Sequence, residues 1–212
     1  MNTLAALSIV AGVLSLLSLL TLHFTSPEIK PGWRMVSEYA LGKYKWLLTI
    51  FFITWGASSL LLAFYLVNIV TGFWAYFAVV LLSLSGIGAI CGGLFDVNHK
   101  LHGLAFGLGV PTLPIAALII SYHLINHNRI TEPFTLVIAH STWISIVLMA
   151  FTMMLMFSGF KKAGVQWGKD APPPTEVPKG VIALGGYANR LLVFCFIFWV
   201  MYISYVLLTP PQ

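Results

Sequence analysis

The sequence predicts an all-α integral membrane protein, a bundle of six transmembrane helices. Apolar and aromatic residues make up 59% of its 212 residues, and charged residues only 8%. The mean hydropathy is +0.92. An ordinary soluble domain carries roughly a quarter charged residues. So few charges cannot cover a globule in water, and most of the surface must therefore face the hydrocarbon of a bilayer.

The first three predicted spans come from two long uncharged stretches. Residues 4–24 form one apolar run. We interpret this run as a span because no Lys or Arg precedes it and no clear Ala-x-Ala cleavage site follows it, as a signal peptide requires. Residues 46–95 also carry no charge, and they are too many for one span of about 20 residues. The dipeptide Thr71-Gly72 is the natural turn that divides them.

The remaining three spans follow short polar connections. The fourth contains Pro111 and Pro114 in its interior, and proline there frees backbone carbonyls and predicts a kink. A polar loop with the run Ala-Pro-Pro-Pro at residues 171–174 separates the last two spans, and this run is expected to be extended. The prediction is one transmembrane domain covering residues 1–212, with spans at residues 4–24, 46–70, 73–95, 103–125, 134–160 and 187–208.

The basic residues predict an orientation in the cytoplasmic membrane. The connections after spans one, three and five form what we call the loop-rich face. They hold ten of the eleven Lys and Arg residues, and only Arg129 lies on the side of the two termini. Because cytoplasmic loops carry the excess of Lys and Arg, the loop-rich face is expected in the cytoplasm and both termini outside.

Three motifs resemble a known family in their order and in their spacing relative to the spans. They are SEYALG at residues 37–42, GGLFD at residues 92–96 and GGYANR at residues 185–190. Together they resemble the prokaryotic six-helix membrane family catalogued as domain of unknown function 998, over almost the whole chain. The resemblance implies a membrane-integral protein and no settled activity. Relatives tend to have Phe-Pro-Thr-Asp and a longer linker before the fourth span, whereas here Asp96 directly follows Phe95.

Polar residues from distant parts of the sequence are expected together at the loop-rich face. Glu38, Asp96, His102 and Arg190 are the candidate catalytic residues, and His99 with His102 is a weak candidate metal pair. Carboxylates and imidazoles can bind a metal that activates water, or act as general acid and base. An arginine can hold the phosphate of a lipid headgroup. The alternative is structural, with Asp96 as a helix cap and Arg190 paired with a carboxylate.

The opposite face carries His123, His127 and His140. Three histidines at one depth are a weak candidate for a zinc, copper or haem iron site. The alternative is that each satisfies its hydrogen bonds at the membrane interface. His140 lies inside the fifth span, where an ionisable residue is a functional candidate by default. A hydrogen bond to a neighbouring helix is the alternative explanation for it.

The sequence favours a non-catalytic accessory or packing subunit, or a lipid-binding component, of a larger membrane assembly. The spans hold few ionisable groups, the loops are short and the exterior is apolar. One alternative is an enzyme that acts on a lipid headgroup at the loop-rich face. Another is a small-molecule carrier that binds at the proline break of the fourth span. We expect bound lipid, no cofactor and, as partners, membrane lipids and other membrane subunits. The net charge of +5 forms no contiguous stripe, which argues against nucleic acid.

Overall fold

The computed structural model describes residues 2–97, 99–130, 134–165 and 174–209, and in these ranges it contains helices and no strand. A 3₁₀ helix, Val36–Leu41, lies between the first two α-helices. The α-helices are α1 (Asn2–Thr25), α2 (Lys45–Val67), α3 (Phe73–Leu94), α4 (His102–Gly109), α5 (Thr112–Asn126), α6 (Phe134–Lys162) and α7 (Gly185–Leu208).

The predicted six-helix membrane bundle is confirmed. Six helical segments in the described ranges are long and apolar enough to cross a bilayer, and α4 and α5 together make one of them. Each begins and ends within a few residues of the predicted boundaries, because the polar connections interrupt the apolar runs there. The proline-rich run at residues 171–174 lies outside the described residues except for Pro174.

The fourth span breaks where the prolines predict a kink. α4 ends at Gly109, and Pro111 caps the start of α5 with φ −76°, a backbone angle that proline favours. Side chains satisfy the carbonyls that the break leaves open. Ser85 of α3 donates to the carbonyl of Gly109 at 2.9 Å, and Thr112 donates to the carbonyl of Leu108 at 2.5 Å. Such substitutes are required in hydrocarbon, where water cannot supply them.

A buried serine cluster joins α1, α2 and α7. Ser8 donates to the carbonyl of Ser58 at 2.8 Å, and Ser58 donates to the carbonyl of Ser8 at the same distance. Ser204 of α7 then donates to the hydroxyl of Ser8 at 3.0 Å. All three side chains are fully buried. Small polar residues that bond across helices are a common means of association in membranes.

The helices α3 and α4 touch backbone to backbone at one glycine. A Cβ added to Gly88 would lie 2.5 Å from the amide nitrogen of Gly109. Gly103 and Gly107, in contrast, have nothing within 4 Å of where a Cβ would stand. Of Gly88, Gly103 and Gly107, only Gly88 therefore needs to be glycine for α3 and α4 to pack this closely.

Helix α6 is the most exposed of the spans. Only 22% of its most apolar 18-residue stretch is buried, whereas the other five spans bury 33–50%. Large apolar side chains cover its outer side, and we call them the α6 outer face: Val137, Ile144, Val147, Leu148, Phe151 and Met154.

Candidate functional site

The loop between α1 and α2 packs over the start of α7 and builds the centre of the loop-rich face. The backbone N–H groups of Gly186 and Tyr187 donate to the carbonyl of Gly32 at 3.0 and 3.3 Å. These are groups that a helix start would otherwise leave without partners. A Cβ on Gly186 would collide with the carbonyl oxygens of Pro31 and Arg34. The loop can approach this closely only because residue 186 is glycine.

Arg190, one turn further along α7, holds this loop through hydrogen bonds from its guanidinium. Its Nη1, which carries two N–H groups, lies within hydrogen-bond distance of three carbonyls, those of Pro31 at 3.1 Å, Arg34 at 2.7 Å and Gly186 at 3.0 Å, so one N–H is shared between two of them. Its Nη2 donates to the hydroxyl of Tyr39 at 3.3 Å. The guanidinium therefore donates these hydrogen bonds to backbone carbonyls and to a phenol of the protein itself.

His23 accepts the remaining guanidinium bond, from Nε of Arg190 at 2.7 Å. The other ring nitrogen, Nδ1, lies 2.7 Å from the carbonyl of Leu19 and must donate to it. The imidazole is therefore neutral, with its proton on Nδ1. His23 is not among the candidate residues that the sequence predicts. It could have been found from the sequence, because it is the one ionisable residue of the apolar run at residues 4–24 and lies at the end of that run nearest the loop-rich face.

Glu38 forms an ion pair with Arg34, with 3.1 Å between Oε1 and Nε. The two side chains are 17% and 11% exposed. Oε2 of Glu38 accepts the backbone N–H of Met35 at 2.6 Å, which caps the 3₁₀ helix. Burial raises the pKa of Glu38, and the Met35 N–H and the cations Arg34 and Arg190 oppose this rise. The carboxylate is thus held by protein partners.

The other loop-rich candidates have different partners. Asp96 pairs with Lys45 at 2.5 Å, and Nδ1 of His102 donates to the carbonyl of Phe95 at 2.9 Å. His99 is exposed, and its ring stacks on Phe95 with 4.6 Å between centroids. The two predicted carboxylates, Glu38 and Asp96, therefore neutralise separate cations. Within the described ranges, no three His, Cys, Asp or Glu residues form a group that could hold a metal ion.

The three histidines of the opposite face also have protein partners. Nδ1 of His140 accepts the indole N–H of Trp143 at 2.8 Å, so its Nε2 carries the proton and faces the hydroxyl of Tyr122 at 3.3 Å. His123 and His127 lie ring to ring, with 4.1 Å between centroids. Nδ1 of His127 also donates to the carbonyl of His123 at 2.9 Å. In the part of the chain that the structure describes, these histidines do not complete a metal site.

A cavity of about 100 Å³ lies between the polar groups of the loop-rich face and the bundle interior. Its polar lining comes from Ser37, His102, Asn189 and Trp55, and the rest is apolar or glycine. The amide of Asn189 is occupied, since its Oδ1 accepts the backbone N–H of Val36 at 2.9 Å. Trp55 is 5% exposed, and its indole N–H has no hydrogen-bond partner among the described residues. Trp55 is not among the functional residues that the sequence predicts.

Comparison with known proteins agrees with the resemblance seen in the three motifs. A family model described as a protein of unknown function (DUF998) matches residues 9–206, nearly the whole chain. No curated protein and no solved structure matches the chain. The chain belongs to the DUF998 family of proteins of unknown function.

Proposed function

We propose that this protein is a non-catalytic, multi-pass membrane component, an accessory or packing subunit that contacts lipid and a larger membrane assembly. The exposure of α6 is the observation that carries the proposal. A span that buries only 22% of its apolar stretch inside its own bundle presents a broad apolar surface to lipid or to another subunit. Membrane helices associate through such packing.

The pairing of the polar residues supports a non-catalytic role over the headgroup enzyme. A general acid or base needs a proton-transfer path to substrate. Glu38 is engaged by Arg34 and Met35, and Asp96 is engaged by Lys45. The guanidinium that could hold a phosphate is instead surrounded by carbonyls, a phenol and an imidazole.

Extraction from the native membrane in a mild detergent tests the proposal, with sizing and mass spectrometry of everything retained. We expect a stoichiometric membrane partner that Val147→Trp on the α6 outer face displaces. Val80→Trp is the matched control, because Val80 of α3 is 55% exposed and Val147 is 57% exposed. Asp96→Ala and His102→Ala should leave the partner bound. A protein that runs alone, or equal loss in both Trp variants, would contradict the proposal.

A small-molecule carrier is the second candidate, and one observation favours it. Gly109 and Val110, at the break between α4 and α5, line the cavity. Broken helices beside a cavity are typical of transporter binding sites. A single cysteine at residue 110, in a chain with Cys91 and Cys195 replaced by Ala, should react with maleimide from both sides of a vesicle if the protein is a carrier. Reaction from one side only would count against this candidate.

We also propose that the protein lies in the cytoplasmic membrane of a prokaryote with its loop-rich face in the cytoplasm. The bias of ten basic residues to one supports this orientation. A cysteine added at the C-terminus of the protein and labelled in intact cells tests this orientation. An impermeant reagent should reach this cysteine without lysis, and protection until lysis would reverse the orientation.

A further inference from the structure

We propose that the cavity beside Trp55 binds part of an uncharged, apolar membrane molecule that carries a carbonyl oxygen, and that the Trp55 indole N–H donates to this oxygen. The site is internal. It is separate from the α6 outer face, so the inference goes beyond the proposed function and does not rest on it.

The indole N–H of Trp55, unpaired among the described residues, indicates that an acceptor comes from outside the chain. Other indoles of this fold have acceptors. The fully buried Trp199 donates to the hydroxyl of Ser121 at 3.1 Å, and Trp143 donates to His140. Trp55 is nearly as buried as Trp199, yet its N–H has no acceptor in the described ranges. Buried donors are rarely left unpaired, because the loss of hydration is not recovered. An acceptor from outside the chain would complete this one.

The cavity lining indicates the kind of molecule. No Asp, Glu, Lys or Arg contributes to the lining, so an ionic group would find no countercharge there. Phe52 and Trp55 lie nearly parallel, 17° apart with 6.0 Å between centroids, and form an aromatic wall. Gly88, Gly92 and Ala105 leave the space open on the other helices. A volume of about 100 Å³ suits one ring or a few methylene groups.

The depth of Trp55 excludes a headgroup as the bound part. Trp55 lies ten residues beyond Lys45, where α2 begins. At a rise of about 1.5 Å per residue this is about 15 Å, near the middle of a hydrocarbon layer of about 30 Å. An oxygen at this depth belongs to a group that is itself lipid-soluble, such as a quinone ring or an acyl ester.

His102 provides a second polar contact at the upper end of the cavity. Its Nδ1 donates to the carbonyl of Phe95, so in the neutral imidazole Nε2 is an acceptor. A molecule that also carries a hydroxyl could donate there. Phe106 lines the cavity and is 50% exposed at the outer surface of α4, so this one side chain lies between the cavity and the lipid. We expect a ligand to enter past it.

The test compares three probes on the full-length protein in nanodiscs: decylubiquinone, methyl laurate and dodecane, which has no oxygen. Trp55→Phe keeps an aromatic ring and removes the N–H. We expect about tenfold weaker binding of a carbonyl probe, as for the loss of one hydrogen bond, and unchanged binding of dodecane. Whichever carbonyl probe responds identifies the source as quinone or ester. Trp46→Phe is the matched control on the same helix, because Trp46 is 58% exposed and does not line the cavity.

Two further readouts separate ligand binding from a structural role. The ligand-free Trp55→Phe protein should lose less unfolding temperature than Trp199→Phe, because both variants lose buried ring volume but only Trp199 gives up a protein hydrogen bond. Gly92→Ala, whose Cβ would lie 3.4 Å from the Phe52 ring, should narrow the cavity and weaken all probes. The inference is overturned if neither carbonyl probe binds, or if both bind Trp55→Phe as tightly as wild type. Partner retention on the α6 outer face should be equal in Trp55→Phe and wild type.

Discussion

Arg190→Lys is the change that tests the architecture of the loop-rich face most directly. It keeps the positive charge and much of the aliphatic stem, and it removes the planar fork. The guanidinium donates five hydrogen bonds to five partners. A lysine ammonium has three donors, so at least two partners lose their bond.

The expected cost follows from those two bonds. A hydrogen bond to a charged group contributes about 1.5–3 kcal/mol to stability. Arg190 is half-buried, so water replaces part of what is lost, and we reduce the sum of two bonds by about half. Arg190→Lys should therefore lower the free energy of unfolding by about 2 kcal/mol. The loop of residues 26–35 should also loosen, because the carbonyls of Pro31 and Arg34 lose their donor.

Reversible unfolding in mixed micelles, followed by far-ultraviolet circular dichroism, measures the free energy. Limited digestion with a glutamate-specific endoproteinase measures the loop, which offers Glu28 as an exposed cleavage site. Arg129→Lys is the matched control. It is the same substitution at an exposed residue on the opposite face, and it should change neither measurement. Equal unfolding energies for Arg190→Lys and Arg129→Lys, with equal cleavage at Glu28, would refute the reasoning.

Two further predictions concern burial and close packing. Glu38→Gln should remove a pH dependence of the free energy of unfolding. Burial raises the pKa of Glu38 above its ordinary value of 4.5, so this carboxyl ionises at a lower pH in the unfolded chain than in the folded protein. The free energy of unfolding of the wild type should therefore fall, relative to that of the variant, as the pH rises through the window just above 4.5. A difference between the two proteins that stays flat across acid titration would contradict this. Gly88→Ala should cost about 1–3 kcal/mol by overpacking against Gly109, measured as a lower unfolding temperature. Gly107→Ala, with open space around it, should cause no loss.

The spans and the break in the fourth span were predictable because each depends on local composition. Hydrocarbon forces an apolar run into a helix whatever its neighbours are, and Pro111 limits the backbone wherever it occurs. These features need no knowledge of tertiary contacts. The α6 outer face was not predictable in this way, because an apolar sequence does not reveal which spans cover one another.

The partners of the polar residues were not predictable. The sequence suggested that Arg190 pairs with a carboxylate, but its bonds go to three carbonyls, Tyr39 and His23. Those carbonyls reach the guanidinium only because Gly186 has no side chain and the loop can therefore approach α7 closely. A contact with a backbone oxygen does not depend on the residue type, so it cannot be predicted from the sequence. The candidate site therefore changes character. Glu38 and Arg190 hold the loop after α1 in place, whereas Asp96 pairs with Lys45 and His102 bonds to the carbonyl of Phe95.

Trp55 illustrates a different limit. Its position in the second span is evident from the sequence, but an unpaired N–H depends on the orientation of the ring and on every neighbour within reach. The sequence alone cannot distinguish Trp55 from Trp199, whose indole N–H donates to Ser121 on α5.

The contact between the first and last helices has a consequence for biogenesis. Ser8 and Ser58 can bond as soon as α1 and α2 have left the ribosome, whereas Ser204 arrives only with the final helix. The loop that follows α1 must likewise wait for Arg190 and for the start of α7. A chain interrupted before its last helix would keep the early hairpin but display unpaired loop carbonyls. The serine cluster and the loop after α1 are thus complete only once α7 has packed against them.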